Sequence, residues 1–479
     1  MRDILLVMSD QHSWAYTGFA GSAVDTPNME RIAGEGWLWE RCYCNAPLCV
    51  PSRMSFLSGL LPSELGIFNN DTTLPIDMPT IAHDLGAMGY QTALIGRMHF
   101  KGDDQNHGFD VRLAGDITSQ YWGTGGKSRT DFGAFAGTTN RKHCLEAVGG
   151  GYSPVMAYDE QVLKTALEYL EGLRQERERG ESREPVFLII GFYGPHFPFT
   201  CSPELYRKYK ERLEKEDGDK EKWREGLGLA ALPEYADYLQ SCTEEKALNC
   251  RAAYCGLVET LDGYVGQLYD VFCDMEQRAG RQYAFLYTSD HGEQLGKRKI
   301  FGKQTLYEDA VRVPFIAAGS GCSSGSGRME APLSLLDISK GIMGLAASDE
   351  EKEDLFPEVF GAEGNPVRIQ QILEYKGALV MAEAVICYPY KVVRIGEQVR
   401  VFHLLDDPEE KMDLSAEQPE VVRSAMEYFM TEREAADCLA RERAQRLRHQ
   451  RLKAWGKAKH PKEPAVMIAP EAARKKPAE

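Results

Sequence analysis

The sequence predicts an α/β protein: a mixed, mostly parallel sheet sandwiched by helices, with a smaller C-terminal subdomain built on an antiparallel sheet. Three observations predict it. Four short apolar runs each end abruptly in a polar cluster. Stretches with helical apolar stripes lie between them. A group of closely spaced strand-like segments follows near the C-terminus.

The four runs are Ile4–Met8, Thr92–Ile95, Val186–Gly191 and Tyr283–Thr288. Each is short and rich in β-branched or aromatic residues, as a strand buried on both faces requires. The clusters that follow are Ser9-Asp10-Gln11-His12, Gly96-Arg97-Met98-His99, Tyr193-Gly194-Pro195-His196 and Ser289-Asp290-His291-Gly292. In open α/β sheets ligands bind at the carboxyl ends of the strands. The recurrence therefore places all four clusters on one edge of one sheet.

Between the runs, Asp159–Gln175 and Arg251–Met275 carry apolar residues at helical spacing and read as core-facing helices. Tyr206–Glu225 alternates charge and reads as a solvated helix and loop. Gly319–Gly327 is a Gly/Ser-rich loop, and Gly361–Pro366 reads as a boundary. Ala378–Tyr388, Tyr390–Ile395 and Gln398–Leu405 then suggest a small antiparallel sheet. Glu417 to about Trp455 reads as helix. The expected division is a catalytic domain over 1–362, a C-terminal subdomain over 363–438 and a basic helical or flexible tail over 439–479.

The chain carries −16, which argues against nucleic acid as a partner. From Leu439 onward there are 12 Lys/Arg against 4 Asp/Glu, a net +8, so the rest holds −24. That tail suits either a dimer arm in a homo-oligomer or a solvated end. No run approaches the roughly 18 apolar residues that span a membrane. The N-terminal apolar run is too short for a signal peptide, so a cytoplasmic address with reduced thiols is expected for the 12 cysteines.

The sharpest local signal is Cys49-Val50-Pro51-Ser52-Arg53, followed by Leu57-Ser58-Gly59. Pro51 suits the first turn of a helix, which places Cys49 at a helix N-terminus, where free N–H groups favour an anion. By itself this leaves three readings of Cys49. It is an inert core thiol, a metal ligand together with Cys42 and Cys44, or a thiolate nucleophile activated by the helix end.

The string resembles the signature of the formylglycine-dependent sulfatases, Cys-x-Pro-Ser-Arg followed by Leu-Thr/Ser-Gly. The resemblance covers roughly Asp3 to Leu414 and implies the alkaline-phosphatase-like fold with a four-stranded C-terminal sheet. It also implies that Cys49 is oxidised by a maturase, acting on Cys49–Arg53, to formylglycine (3-oxoalanine). Asp10-Gln11 and Asp290-His291 resemble the two pairs that bind the metal, with position 49 completing the set. Ca²⁺ is the expected ion, and the amide and imidazole also admit Mn²⁺ or Mg²⁺. Gln and His at these places resemble choline sulfatase and the phosphonate monoester hydrolases.

Gly96-Arg97-Met98-His99 resembles the Gly-Lys-x-His element, with Arg97 replacing the lysine. Pro195-His196-Phe197-Pro198 resembles the Pro-His-x-Pro element, and Gly302-Lys303-x-Thr305 the segment with the second sulfate-binding lysine. These matches imply roles. Arg53 orients the formylglycine hydrate, and Arg97 and Lys303 bind the sulfate. His196 protonates the leaving oxygen, and His99 helps deprotonate the hydrate. His12, His107 and His143 have no such support and read as substrate-side or structural.

The expected activity is hydrolysis of the sulfate ester of a small sulfated carbohydrate, the insertion Gly123–Gly151 being long enough to frame a sugar. The rival within the same chemistry is a formylglycine-dependent phosphonate monoester or phosphodiester hydrolase. The rival outside it is an unmatured, metal-dependent binding protein.

Overall fold

The computed structural model of the chain describes residues 1–124, 148–216, 235, 243–320, 327–348, 355–361 and 366–462. In chain order the elements that matter for the site begin with β1 (Asp3–Asp10), α1 (Pro27–Glu35), β2 (Trp37–Tyr43) and α2 (Cys49–Ser58). Next come β3 (Gln91–Gly96), β4 (Val111–Leu113), α3 (Pro154–Glu178), β5 (Val186–Pro195) and α4 (Glu244–Ala279). The elements of the large sheet and its helices end with β6 (Tyr283–Ser289), β7 (Arg312–Gly319), β8 (Gly327–Met329) and α5 (Leu335–Ala347).

These strands form a nine-stranded sheet in the order β8-β2-β7-β6-β1-β5-β3-β4, with Leu333–Ser334 added beside β2. The four runs singled out in the sequence are the neighbours β6-β1-β5-β3, all parallel. The antiparallel pairings are those of β7 with β2 and β6. The sheet is therefore the mixed, mostly parallel one expected.

Alternation explains why β1 lacks a polar face. Ile4, Leu6 and Met8 join one core with Phe187, Ile189, Leu286, α2 and α5. Leu5 and Val7 join the opposite core with Leu188, Ile190, Phe285, α3 and α4. All five apolar side chains of β1 are fully buried, each worth roughly 1.5–3 kcal/mol of burial. A strand with helices on both faces has no room for a polar period.

The C-terminal sheet is antiparallel and four-stranded: β9 (Val367–Tyr375), β10 (Ala378–Cys387), β11 (Tyr390–Ile395) and β12 (Gln398–His403), paired in that order. β9 was not read from its residues, only implied by the resemblance. The helix expected over Glu417–Trp455 is broken. Pro419–Ala425 is one helix, and α6 (Glu432–Lys459) is another, started by a Thr431/Glu434 capping box. Glu442, His449 and Gly456 of α6 are buried, so this part of the basic tail is packed against the body rather than solvated. The helix in Tyr206–Glu225 spans Pro203–Glu216. His143 and most of the Gly123–Gly151 insertion lie outside the described residues.

Candidate active site

The four polar clusters meet at the carboxyl ends of their strands. β1 hands over to Gln11 in a left-handed conformation, φ +71°, and β3 to His99 at φ +65°. Strain of this kind persists only where the surroundings over-determine it. Gly96 turns the chain at φ +86°. Across from it, a Cβ on Gly191 would fall 1.9 Å from the Arg97 carbonyl oxygen. Only glycine lets β3 and β5 deliver their clusters so close together.

Cys49 is the first residue of α2, and Gly59 ends that helix in the left-handed conformation, φ +69°. The thiol lies 3.7 Å from Asp10 Oδ1 and 3.3 Å from His291 Nε2. Burial, then the Asp10 carboxylate, pushes it up to about 11. The thiolate reading is therefore disfavoured: the helix end does not overcome desolvation beside carboxylates. Cys42 and Cys44 are buried and likewise held protonated by burial, and neither belongs to the ligand cluster below.

Asp10, Cys49, Asp290 and His291 each offer a ligand atom, all within 4.8 Å of one another and all buried. His291 Nδ1 lies 3.0 Å from the Gly292 carbonyl. A carbonyl only accepts, so the ring hydrogen sits on Nδ1 and the Nε2 lone pair faces the cluster. That is the tautomer a metal requires. The donor set thus fits a divalent cation.

Arg53 is fully buried at the centre. Its Nε donates to Asp290 Oδ2 at 2.8 Å, and its Nη2 reaches Ser9 O at 3.2 Å and Asp10 Oδ2 at 3.4 Å. Nη1 donates to Arg97 O at 3.2 Å. Burial opposes ionisation of Asp10. Arg97, Arg53 and Lys303 outweigh it and hold the carboxyl well below the usual carboxylate range.

Arg97 was expected to grip sulfate with its fork. In the structure its nitrogens have protein partners: Nε on Asp10 Oδ2, Nη1 on Asp116 Oδ1 at 3.0 Å, and Nη2 on His99 Nδ1 at 2.9 Å. Its guanidinium also lies 4.4 Å over the Tyr193 ring. These contacts fix the guanidinium where it lines the catalytic cavity. The same contact settles the His99 tautomer. Arginine only donates, so Nδ1 accepts and Nε2 carries the ring hydrogen.

His196 is the reverse. Its Nδ1 donates to Phe197 O at 2.7 Å, leaving a lone pair on Nε2, which lies 3.9 Å from Asp10 Oδ1. Burial and Lys303 hold His196 neutral, and burial and Arg97 do the same for His99. At rest His99 can donate and His196 can accept, opposite to the base and acid roles expected from the resemblance.

Lys303 bonds Gln11 Oε1, and Gln11 Nε2 bonds Glu293. Glu293 also accepts from Leu295 N at 2.7 Å and Gly302 N at 2.6 Å. It therefore sets the direction of the Gln11 amide, oxygen toward Lys303. Burial raises the Glu293 carboxyl above its ordinary value.

Asp116 and Glu293 were missed. Asp116 follows β4 by the same strand-then-polar rule, and Glu293 stands in one string with Asp290 and His291, so both were within reach of the rule used. Of the unsupported histidines, His12 is structural, between Tyr287 Oη at 2.6 Å and Tyr16 O at 2.9 Å, with burial lowering it to about 4. His107 is buried against Phe100, ring centroids 4.5 Å apart.

Cys49, Arg97, His99, His196 and Lys303 open into one cavity of about 380 Å³, also lined by Asn70, Asp71, Lys101, Ser119 and Gln304. No helix of the described residues is long and apolar enough to cross a membrane.

Known proteins resemble this chain in sequence and fold. The sulfatase family model matches residues 2–348. The choline-sulfatase of Rhizobium meliloti is 31% identical over 454 residues, 88% of this chain and 82% of its own. The phosphonate monoester hydrolase of Agrobacterium radiobacter superposes with a TM-score of 0.64 at 19% identity, covering 89% of this chain and 94% of that one. A protein solved with its substrate D-glucosamine-2-N,6-O-disulfate gives a TM-score of 0.64 at 19% identity, covering 91% and 98%. At such identity the likeness is one of fold. The family match spans the strands and turns that assemble Asp10, Cys49, Asp290 and His291, and the chain belongs to the sulfatase family of sulfuric ester hydrolases.

Proposed function

We propose that this sulfatase hydrolyses the sulfate ester of a small sulfated carbohydrate, with formylglycine at position 49 and a divalent cation held by Asp10, Gln11, Asp290 and His291. The observation that carries the chemistry is the convergence of Cys49 with Asp10, Asp290 and His291 within 4.8 Å, at the foot of a cavity edged by Lys303 and two histidines. The carbohydrate is supported by the cavity's outer lining of Asn70, Asp71, Lys101, Ser119 and Gln304, hydrogen-bonding groups suited to hydroxyls. A relative's complex with a sulfated glucosamine points the same way.

When present, hydrated formylglycine supplies the attacking oxygen, and the cation, with Ca²⁺ as the first expectation, supplies positive charge against it. The chain's own residues do the rest. Arg53 holds the Asp10 and Asp290 carboxylates apart from each other and fixes their orientation. Lys303 brings a cation to the non-bridging oxygens, where charge gathers. Arg97 holds Asp10 and His99 in place. His99 offers its Nε2–H to the cavity. His196 stands beside Lys303 on the leaving-group side, and its neutral tautomer must gain a proton at Nε2 before it can act as an acid. Among the described residues no disulfide joins any two of the nine cysteines, which is in keeping with a reducing, cytoplasmic setting.

The test has two parts. Mass analysis of the tryptic peptide Cys42–Arg53, after alkylation, from protein co-expressed with an active maturase should give an aldehyde at position 49 and two alkylated cysteines. The matured enzyme should then turn over aryl sulfate. Three alkylated cysteines would overturn the formylglycine reading. Gln11 and His291 in the ligand set favour a second reading, a phosphonate monoester or phosphodiester hydrolase. Faster turnover of aryl phosphodiesters than of aryl sulfate would put it first.

A further inference from the structure

The basic tail helix reaches the mouth of the catalytic cavity. Asn70 and Asp71 lie on one loop of the outer lining, and Thr118 and Ser119 begin another. Trp122 Nε1 stitches the two together by donating to Asp71 O at 2.6 Å. α6 then holds both. Lys453 Nζ pairs with Asp71 Oδ2 at 2.5 Å. His449 stacks on Trp122, ring centroids 6.2 Å apart and planes within 18°. Gly456 lies so close to Trp122 that a Cβ there would fall 1.8 Å from its carbonyl oxygen. Positions 449, 453 and 456 are one helical turn apart and share a face. One turn-pair earlier, Asn69 Nδ2 donates to both oxygens of buried Glu442, at 3.1 and 2.8 Å. The same loop touches the catalytic helix, since Asn70 Oδ1 accepts from Val50 N at 3.0 Å, next to Cys49.

The sulfate end of a substrate is served by the inner residues, so its alcohol must lie against this outer lining. We propose that α6 sets the enzyme's specificity for that alcohol. Lys453 and Gly456 are positioning residues that hold Asp71 and the 118–122 loop where they hydrogen-bond the hydroxyls of a sugar. Lys453 engages Asp71 Oδ2, and Oδ1 remains as an acceptor. A carboxylate already ordered by its neighbour loses little freedom when a hydroxyl arrives. The inference rests on the carbohydrate reading above.

The test uses the matured, metal-loaded full chain and two substrates: the best-cleaved member of a panel of monosaccharide sulfates, and para-nitrophenyl sulfate. Lys453→Met removes the pairing with Asp71, and Gly456→Ala pushes the helix off Trp122. Each should raise KM for the sugar sulfate by about tenfold or more, with kcat and both aryl-sulfate parameters within about threefold of wild type. Asp71→Asn should show the same sugar-selective loss. Arg451→Met, on an exposed position of the same helix, should change neither substrate. A sugar KM within twofold of wild type in both α6 variants overturns the proposal, as does an equal loss on both esters, which marks a merely structural helix. Wild-type enzyme that cleaves the aryl ester but no sugar sulfate overturns the alcohol class. Enzyme that cleaves neither overturns the sulfatase reading on which it rests.

Discussion

Arg97 and Asp116 form a buried ion pair, Nη1 to Oδ1 at 3.0 Å, with the side chains 1% and 3% exposed. Asp116 also takes the backbone N–H of His99 at 2.7 Å. One carboxylate thus fixes both the guanidinium and the strained His99 backbone. Burial opposes its charge, but Arg97 and the hydrogen bonds from Thr118 keep it well below the ordinary carboxylate value.

Asp116→Asn keeps the shape and removes the charge. Leaving Arg97 half-paired should cost about 2–3 kcal/mol in urea unfolding and roughly 10–100-fold in kcat, the usual effect of a residue supporting a ligand. Unchanged kcat would show that His99 and Arg97 hold their places without it.

Cys49→Ala should lose turnover by on the order of a thousandfold or more, since no thiol or methyl group replaces the aldehyde. Its thermal midpoint should stay within a few degrees, because the thiol is a small buried group. Near-wild-type turnover would remove position 49 from the chemistry.

Metal should stabilise the fold. In chelator the midpoint should fall, and restoring Ca²⁺, Mn²⁺ or Mg²⁺ should raise it, with stability up by about 2.7 kcal/mol at a hundredfold excess over Kd. Asp290→Asn should abolish most of that response. A variant that responds like wild type would place the ion elsewhere.

Asp159 gives a pH dependence that can be read by unfolding. It accepts from Tyr193 N at 2.8 Å and Gly194 N at 2.7 Å, yet burial lifts it from 3.8 to about 7. The folded state therefore keeps a proton that the unfolded state has lost. Stability should decline as pH rises from about 4 to 7, by at most about 1.4 kcal/mol per unit, and level off above. Asp159→Asn should flatten this limb. Identical slopes in both proteins would contradict it.

Lys391 of β11 is fully buried between Glu308 at 3.0 Å and Glu410 at 2.8 Å, tying the C-terminal sheet to the segment that follows Lys303. Lys391→Met should cost about 3–5 kcal/mol by stranding two carboxylates. Adding Glu410→Gln should restore part of that loss. Additive losses in the double-mutant cycle would mean that the two residues do not interact.

The central strands were legible because they are covered on both faces and so read as unbroken apolar runs ending in polar tips. β9 was not. Val367–Tyr375 mixes Arg368, Gln370, Gln371 and Glu374 among its apolar residues, and Gln370 is buried only because Glu383 and Ser63 meet it from other elements. Nor was the break before α6, where an extended Phe429 interrupts a stretch that is helical on both sides.

Residue types and spacing alone determined the cysteine at a helix start, the four polar strand ends and the family they resemble. Those signals are local: a strand ends where its apolar run ends, and a helix begins at its cap. Only tertiary structure decided which nitrogen of His99 and His196 carries the hydrogen, which partners hold Arg97, and where the described part of the basic tail goes. Each of these depends on a partner contributed by a distant segment, such as Asp116 for Arg97 or Asp71 for Lys453. Hydrogen bonds act over a few ångströms in space, and sequence spacing measures nothing at that scale once the chain has turned back on itself.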